Sequence, residues 1–493
     1  MRRRPAERSL RLSTITDQTG LALANITARA TEVFTPTVRL GVTGLARAGK
    51  TVFITALIHN LIHGGRLPLF RAYANGRIAN SALEPQPDDD VPRFDYERYV
   101  EAMVEDRLWP DSTRQISELR LTVRFDSASY LSRTLRSGKL HLDIVDYPGE
   151  WLLDLALMEL SFAEWSRTTV ERARSEARRQ SAGAWLAKLD SIDPQMHEDE
   201  PLARELAALF TDYLRASRAD GDPVLTEPPG RFLMPGDLAG SPALTFSPIV
   251  FDGDSAPGSL ARMMDRRYES YKSVVVRPFF RDHFSRLDRQ LVLVDVLHAL
   301  NGGISSVANL ETALAATLSA FKHGTANWLT GLVVRRIDRI LFAATKADHV
   351  HHEDHDRLEN ILERIIVRAA ERAKFAGSEV DVLALASVRA TREGTVTWAG
   401  ERLPSIVGTP LPGEKVDGRT FDGDTEIAVF PGDLPDDPAV FFQNQGKSTA
   451  GTDLRFVRFR PPRLERTAEG LTLSLPHIRL DRALEFLIGD YLA

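Results

Sequence analysis

Short apolar runs alternate with amphipathic stretches over much of the chain, and their order predicts an α/β fold. Residues 38–43 (VRLGVT) have the β-branched character of a buried strand. The next stretch, KTVFITALIHNLIHGG, is typical of a helix because Phe53, Ala56, Leu57 and Leu61 share one face. Further strands are predicted at 117–125, 139–146, 290–297, 339–348 and 380–387, with a helix at 356–374. Strands separated by helices favour a mostly parallel, doubly wound sheet.

The same pattern divides the chain into segments of different character. A mainly helical insertion is predicted between the third and fourth core strands, and a β- and loop-rich insertion before the C-terminal helix. Residues 70–112 follow no clear period and are predicted to be irregular. The expected segments are an N-terminal arm and helix (1–36), the first part of the core (37–150), the helical insertion (151–288), the second part of the core (289–394), the β- and loop-rich insertion (395–475) and the closing helix (476–493).

Composition and charge narrow the class of protein. Hydrophobic residues make up 43% of the 493 positions, enough to exclude a wholly disordered chain. The formal net charge of −6 gives no reason to expect nucleic-acid binding. The chain has no cysteine, which excludes disulfides and thiolate chemistry. No apolar run approaches the roughly 18 residues that a transmembrane helix needs, so we expect a cytoplasmic protein.

The segment GLARAGKT, residues 44–51, fits the pattern G-x-x-x-x-G-K-[ST] and lies between a predicted strand and a predicted helix. Gly44 and Gly49 allow the backbone N–H groups to turn toward a phosphate, and the start of the helix adds its positive end. Lys50 would contact the β- and γ-phosphates, and the Thr51 hydroxyl would hold Mg²⁺. The predicted phosphate-binding residues are Gly44, Arg47, Ala48, Gly49, Lys50, Thr51 and Val52.

A second motif, DIVDYPGE, follows a later strand. Asp146 ends that strand, where its carboxylate can meet Mg²⁺, and the N–H of Gly149 can be offered to the γ-phosphate. The pattern D-x-x-G is frequent in turns. Its position after a strand, downstream of the phosphate-binding loop, favours the nucleotide interpretation.

A third motif, TKAD, and a fourth, ALASVRAT, predict recognition of the base. The Asp348 carboxylate would accept hydrogen bonds from guanine N1–H and the exocyclic amine, a pair of donors that adenine lacks. The Lys346 stem would cover the base plane, with Thr345 where asparagine is commoner. Ser387 and the Val388 backbone would contact the guanine carbonyl. The alternative for TKAD is an ordinary polar turn at the end of a strand.

These four elements, in this order, resemble the Ras-like, translation-factor-related class of P-loop GTPases. The segments GLARAGKTVFITALIHNL, DYPGEWLLDL, LVDVLHALNGG, ATKADHV and PHIRLDRALEFLIGD are similar to those of the YcjX family of stress-associated bacterial GTPases. The resemblance implies a core that binds GTP, GDP and Mg²⁺, a helical insertion, and a link to a membrane-protein or other protein partner. Peripheral attachment to the inner membrane is the alternative to a freely cytoplasmic location.

In such GTPases a switch I threonine joins Mg²⁺ and senses the γ-phosphate. Thr113 is the candidate here. The alternatives are Thr122, inside the predicted strand, and a helix-capping role for Thr113. Glu150 occupies the place where many GTPases have a glutamine that positions water. Lys50, Glu150 and Thr113 are therefore the predicted catalytic residues, and Thr51, Thr113 and Asp146 the predicted Mg²⁺ ligands. Arg47 in the phosphate-binding loop could reach the phosphates, but an exposed loop arginine explains it as well. The sequence therefore singles out no arginine finger, and hydrolysis is expected to be slow.

Two rival functions and two other features stay open at this stage. The chain could be an ATP-using enzyme such as an ATPase or kinase, or a scaffold that keeps nucleotide for stability only. In DHVHHEDHD, His351 and His355 are spaced to ligate a metal on one helix face, although a hydrated helix start explains them as well. The run LRFVRFRPPRLER could stack on single-stranded nucleic acid or form a strand with one charged face.

Overall fold

The computed structural model of the protein describes residues 35–45, 47–111, 115–127, 138–219, 227–251, 254–319, 337–398, 401–416, 418–443, 454, 456–464 and 474–493. Within these residues the largest sheet has seven strands in the order β2-β3-β4-β1-β5-β6-β7. Its strands are β1 (Thr37–Gly44), β2 (Ile78–Glu84), β3 (Ser117–Phe125), β4 (Lys139–Asp146), β5 (Arg289–Val294), β6 (Arg339–Thr345) and β7 (Glu379–Leu385).

Most of this sheet is parallel, as the sequence predicts. Strand β1 lies between β4 and β5 and pairs with both in parallel, and β6 and β7 continue in the same direction. Only β2 and β3 introduce antiparallel pairs. The carboxyl ends of β1, β4, β5, β6 and β7 therefore meet at one edge, where α/β sheets commonly bind their ligands.

Strand β2 corrects the prediction that residues 70–112 are irregular. Strand β2 lies at the edge of the sheet, and Ser81 is its only buried residue. Because little of the strand is buried, its sequence, IANSALE, does not need alternating apolar residues. The helical segments after residue 150 therefore follow the fourth strand of the sheet in chain order, not the third. A second correction concerns β5, which ends at Val294 because Asp295 caps the next helix by accepting the His298 N–H at 3.2 Å.

Alternation of side chains along the strands gives the sheet two apolar faces. Leu291 and Leu293 face one cluster, while Val292 and Val294 face the other. The first face is covered by the helix after β1 and by the C-terminal helix. Asn60, in the helix after β1, holds the segment that leads into the C-terminal helix, because its side-chain amide forms hydrogen bonds with both the N–H and the carbonyl of Leu475. The second face is covered by the helices after β4 and after β6.

Several helices come between β4 and β5 in the chain. They bury Trp151, Trp165 and Trp185, each at most 3% exposed, so these rings pack in the core. The helices are α1 (Lys50–His63), α2 (Arg71–Ala74), α3 (Tyr96–Val104), α4 (Glu150–Leu153), α5 (Phe162–Ala173), α6 (Arg179–Asp190), α7 (Glu200–Ala219), α8 (Gly230–Leu233), α9 (Leu260–Tyr271), α10 (Arg277–Asp282), α11 (Val296–Asn301), α12 (Ile304–Ser319), α13 (His355–Phe375), α14 (Val440–Gln443) and α15 (Leu480–Ile488).

A small β region follows β7. Strands β8 (Arg392–Trp398), β9 (Glu401–Gly408) and β12 (Ile427–Val429) form an antiparallel three-stranded sheet. Strands β10 (Lys415–Val416) and β11 (Arg419–Thr420) form a hairpin. None of the described helices is both long enough and apolar enough to cross a bilayer.

Candidate nucleotide site

The first motif forms the turn between β1 and α1. Gly49 and Arg47 have φ angles of 88° and 64°, in the left-handed region that favours glycine. The Lys50 Nζ donates a 2.9 Å hydrogen bond to the carbonyl oxygen of Gly44. Lys50 and Thr51 are only 7% and 6% exposed, and both line a cavity. A phosphate entering this cavity would be a stronger acceptor for the ammonium than the carbonyl is.

The second motif packs directly on the first. Asp146 lies opposite Val42 in the β1–β4 register and is buried. A Cβ added at Gly149 would lie 2.3 Å from the carbonyl oxygen of Gly44, so only glycine fits there. Glu150 begins α4 with 1% exposure, and its side chain does not line the cavity. The backbone of the D-x-x-G motif is therefore in contact with the phosphate-binding loop.

The third motif begins where β6 ends. The Thr345 hydroxyl donates to the carbonyl of Val294 at 3.3 Å, which links the ends of β6 and β5. Lys346 has a φ of 62°, and its ammonium forms an ion pair with Asp295. This pair holds the Lys346 stem across the carboxyl edge of the sheet.

The fourth motif holds the key carboxylate of the third. The Ala390 N–H donates to the Asp348 carboxylate at 2.7 Å, and the Thr391 hydroxyl donates to the Asp348 carbonyl oxygen. Asp348 is 4% exposed and faces the cavity, as do Ser387 and Val388. The two segments predicted to contact a base are thus joined by hydrogen bonds.

A cavity of about 270 Å³ lies between these segments. Gly44, Asp146, Gly149 and Glu150 do not contribute to the lining that the structure describes, and Thr113 lies outside the described residues. The predicted residues that line the cavity are Arg47, Ala48, Gly49, Lys50, Thr51, Val52, Thr345, Lys346, Asp348, Ser387 and Val388.

One wall of the cavity was missed by the sequence analysis. The Trp109 indole lines it and donates to the carbonyl oxygen of Phe459 at 2.6 Å. The Phe459 ring in turn meets His349 edge-on, with 5.3 Å between ring centroids. Trp109 precedes Thr113 by four residues, a proximity that could have drawn attention to it. The sequence gives no indication that the charged segment around Arg458 lines the cavity, because this segment is far from the other motifs along the chain.

The cavity carries positive charge. Four basic residues line it, Lys50, Arg47, Lys346 and Arg458, against two acidic ones, Asp111 and Asp348. The pKa of nearby His298 is lowered, mainly by burial and further by the positive charges of Lys346, Arg47 and Arg458, although Asp295 opposes the shift. A site of this polarity suits a polyanionic ligand.

The residues near the phosphate-binding loop also fit a magnesium ion. Thr51 is the second residue of α1, and Asp146 ends the strand beside β1, so a hydroxyl and a carboxylate flank the same loop. Both are hard oxygen donors, the class that Mg²⁺ prefers.

Comparison with known proteins shows the family to which the chain belongs. Residues 38–492 match the family described as "YcjX-like family, DUF463". The chain belongs to the YcjX-like family. The matched range includes all four motifs, the helical segments after β4 and the small β region.

Two curated members of the YcjX-like family are similar over nearly their whole length. A protein of Escherichia coli (strain K12) named "Ras-like GTPase YcjX" is 38% identical over 469 residues, covering 92% of this chain and 96% of that protein. A protein of Shewanella oneidensis with the same name is 32% identical over 477 residues, covering 92% and 94%.

Proposed function

We propose that this protein binds GTP and GDP with Mg²⁺ and hydrolyses GTP slowly, acting as a molecular switch. The observation that carries the proposal is that Lys50 and Asp348, distant in sequence, line one cavity. The first belongs to a phosphate-binding pattern, and the second is suited to guanine. The name shared by the two relatives, Ras-like GTPase, supports the same activity.

Each end of the cavity has a separate role in this proposal. At one end Lys50 and the loop N–H groups hold the phosphates. At the other end Asp348 accepts two hydrogen bonds from guanine, while the stem of Lys346 covers the base. Mg²⁺, held through Thr51, Asp146 and Thr113, would neutralise charge on the phosphates when bound.

Slow hydrolysis follows from what surrounds the γ-phosphate end. Glu150 is buried and, as a carboxylate, is repelled by a polyanion, so it is poorly suited to position water. Arg458 is paired with Glu414, and Arg47 is an exposed residue of the loop, so neither is singled out as an arginine finger. Because an arginine finger is worth about 10³–10⁵ in rate, we expect low turnover without a partner. Turnover of several per second by the isolated protein would contradict this expectation.

The switch would act through the segment that follows Gly149. A Cβ on Gly230 would lie 2.3 Å from the Glu150 carbonyl oxygen, and the Arg231 guanidinium lies 3.3 Å from the centroid of the Trp151 ring. Movement of Gly149 on loss of the γ-phosphate would therefore be passed to the helices after β4. Hydrogen exchange over residues 151–219 should differ between GDP and a non-hydrolysable GTP analogue, and identical exchange would exclude this coupling.

The role of Thr113 has its own test. As the switch I threonine, Thr113 would contact Mg²⁺ and the γ-phosphate in the GTP complex, and it would lose these contacts when the nucleotide is GDP. Thr113→Ala should weaken binding of a GTP analogue far more than binding of GDP. Equal losses for the two nucleotides would remove Thr113 from this role.

The proposal as a whole is tested by equilibrium binding of GTP, GDP and ATP. We expect GTP and GDP to bind far more tightly than ATP, and Lys50→Ala to weaken both. Preference for ATP would favour a P-loop ATPase or kinase. A scaffold that keeps nucleotide only for stability predicts that Lys50→Ala lowers the melting temperature, with partner binding the same in either nucleotide state.

A further inference from the structure

Three side chains that follow the third motif face one another near the surface. One ring nitrogen each from His351 and His352 and one carboxylate oxygen from Glu353 lie within 4.8 Å of each other. The His351 Nδ1 is 3.5 Å from the Glu353 carboxylate. His355, the partner suggested by sequence spacing, lies outside this group because its Nε2 donates to the carbonyl of Ala347 at 2.9 Å.

A fourth side chain reaches the group from strand β8. One oxygen of Glu393 lies 3.0 Å from His352 Nδ1 and 3.8 Å from His351 Nε2. The other oxygen is 3.9 Å from the guanidinium of Arg389. Glu393 therefore directs one oxygen at the two imidazoles while Arg389 lies beside the other.

His351 is only 14% exposed, so its ring is shielded from water. Its Nδ1 is buried and makes no hydrogen bond with any described residue. A shielded polar atom that makes no hydrogen bond is uncommon in native proteins, and a bound ion is one reason for it.

We propose that His351, His352 and Glu353 bind a first-row transition-metal ion, with Zn²⁺ as the expected occupant and Glu393 as the carboxylate that orients His352. Imidazole and carboxylate together are typical zinc ligands, whereas Mg²⁺ favours oxygen alone. Zinc bonds of about 2.0–2.2 Å place tetrahedral ligand atoms about 3.3 Å apart. The 3.5 Å between His351 Nδ1 and the Glu353 carboxylate is close to that value. Glu393, 3.0 Å from His352 Nδ1, would orient that imidazole by a hydrogen bond, as second-layer carboxylates do for metal-binding histidines.

The metal site lies beside the two segments that are proposed to contact the base of the nucleotide. His351 lies three residues after Asp348, and Glu393 lies two residues after Thr391, whose hydroxyl contacts the Asp348 backbone. A metal on His351 and His352, with Glu393 hydrogen-bonded to His352, would hold together the two segments proposed to contact the base. Bound Zn²⁺ should therefore slow the release of GDP, an effect that rests on the proposed function, whereas the metal site itself does not.

The site is tested by titrating Zn²⁺ into metal-free, nucleotide-free full-length protein in a calorimeter. Co²⁺ serves as a second probe because its visible absorption responds to nitrogen and oxygen ligands. One Zn²⁺ per chain should bind, and His351→Ala and His352→Ala should each weaken binding by about tenfold or more. His197→Ala removes an exposed histidine from the helical region and should leave binding unchanged. Equal binding by the wild type and both site variants would overturn the proposal.

The effect on the nucleotide is measured by release of a fluorescent GDP in excess Mg²⁺, with and without Zn²⁺. Slower release with Zn²⁺ in the wild type, but not in His352→Ala, supports the link between the two segments. If Zn²⁺ binds and release is unchanged, that link is wrong and the metal site stands. If GDP does not bind at all, the proposed function fails, while the titration still decides the metal site.

Discussion

Gly149 touches the backbone of Gly44: a side-chain carbon at position 149 would lie 2.3 Å from the Gly44 carbonyl oxygen. The same oxygen accepts the hydrogen bond from the Lys50 ammonium. The D-x-x-G motif, the phosphate-binding loop and its lysine therefore meet at a single carbonyl group. Displacing any one of them displaces the others.

Gly149→Ala should lower both stability and nucleotide affinity. The added methyl group overpacks a buried contact, which costs about 1–3 kcal/mol, and shifts the carbonyl that Lys50 contacts. The measurements are the melting temperature and the affinity for GDP. Gly183→Ala is the matched control, because Gly183 lies inside α6 with open space around it and alanine there gains up to about 1 kcal/mol. Similar behaviour of the two variants would contradict the contact.

Nucleotide binding should change the fluorescence of Trp109. Its indole lines the cavity and is held by the carbonyl of Phe459, so a bound nucleotide alters its surroundings. Fluorescence of the wild type should change on titration with GDP, and Trp109→Phe should remove most of the change. Trp185→Phe is the control because that indole is buried among the helices, bonded to Ser247 at 2.9 Å. A signal that survives in Trp109→Phe would place the nucleotide elsewhere.

The Asp154 carboxyl should make stability depend on pH. Burial raises its pKa from 3.8 to about 6, although hydrogen bonds from Tyr271 and from the N–H groups of Gly230 and Arg231 oppose the shift. The folded state therefore holds this proton more tightly than the unfolded state, and stability falls as the pH rises from about 4 to about 6. Above that range the loss is on the order of 3 kcal/mol.

Asp154→Asn removes this titration and should flatten the fall. Melting temperatures of the two proteins at several pH values between 4.5 and 7.5 provide the comparison. The wild type should lose stability relative to the variant as the pH rises, and the difference should level off above about pH 6. Parallel curves over the whole range would refute the assignment to Asp154.

Much of the fold could be predicted because the central strands are apolar and lie between clear helices. The strand that became β1 and the loop at Gly49 were evident from a few consecutive residues. Strand β2 was not, because an edge strand whose residues are mostly exposed needs few apolar residues. The capping role of Asp295 was also missed. The apolar residues on both sides of it continue the pattern of the strand, so the sequence does not show where β5 ends and the next helix begins.

The site could be predicted only where its chemistry is local. Lys50 and Asp348 lie in motifs whose residue types suggest their ligands. Phe459 and Leu411 reach the cavity from the small β region, and no pattern in the chain connects them with the phosphate-binding loop. The direction of the Glu150 side chain depends on the packing of α4 beneath Gly230, which is likewise a tertiary effect.

The most direct test of the account is the nucleotide preference of Asp348→Asn. The Asp348 backbone is anchored by Thr391, and an asparagine oxygen can still accept the Ala390 N–H, so the fold should be kept. The wild type should bind GDP far more tightly than xanthosine diphosphate or ADP, and the variant should reverse the order of GDP and xanthosine diphosphate. Unchanged preference for GDP in the variant would mean that Asp348 does not contact the base, and the proposed guanine site would be wrong.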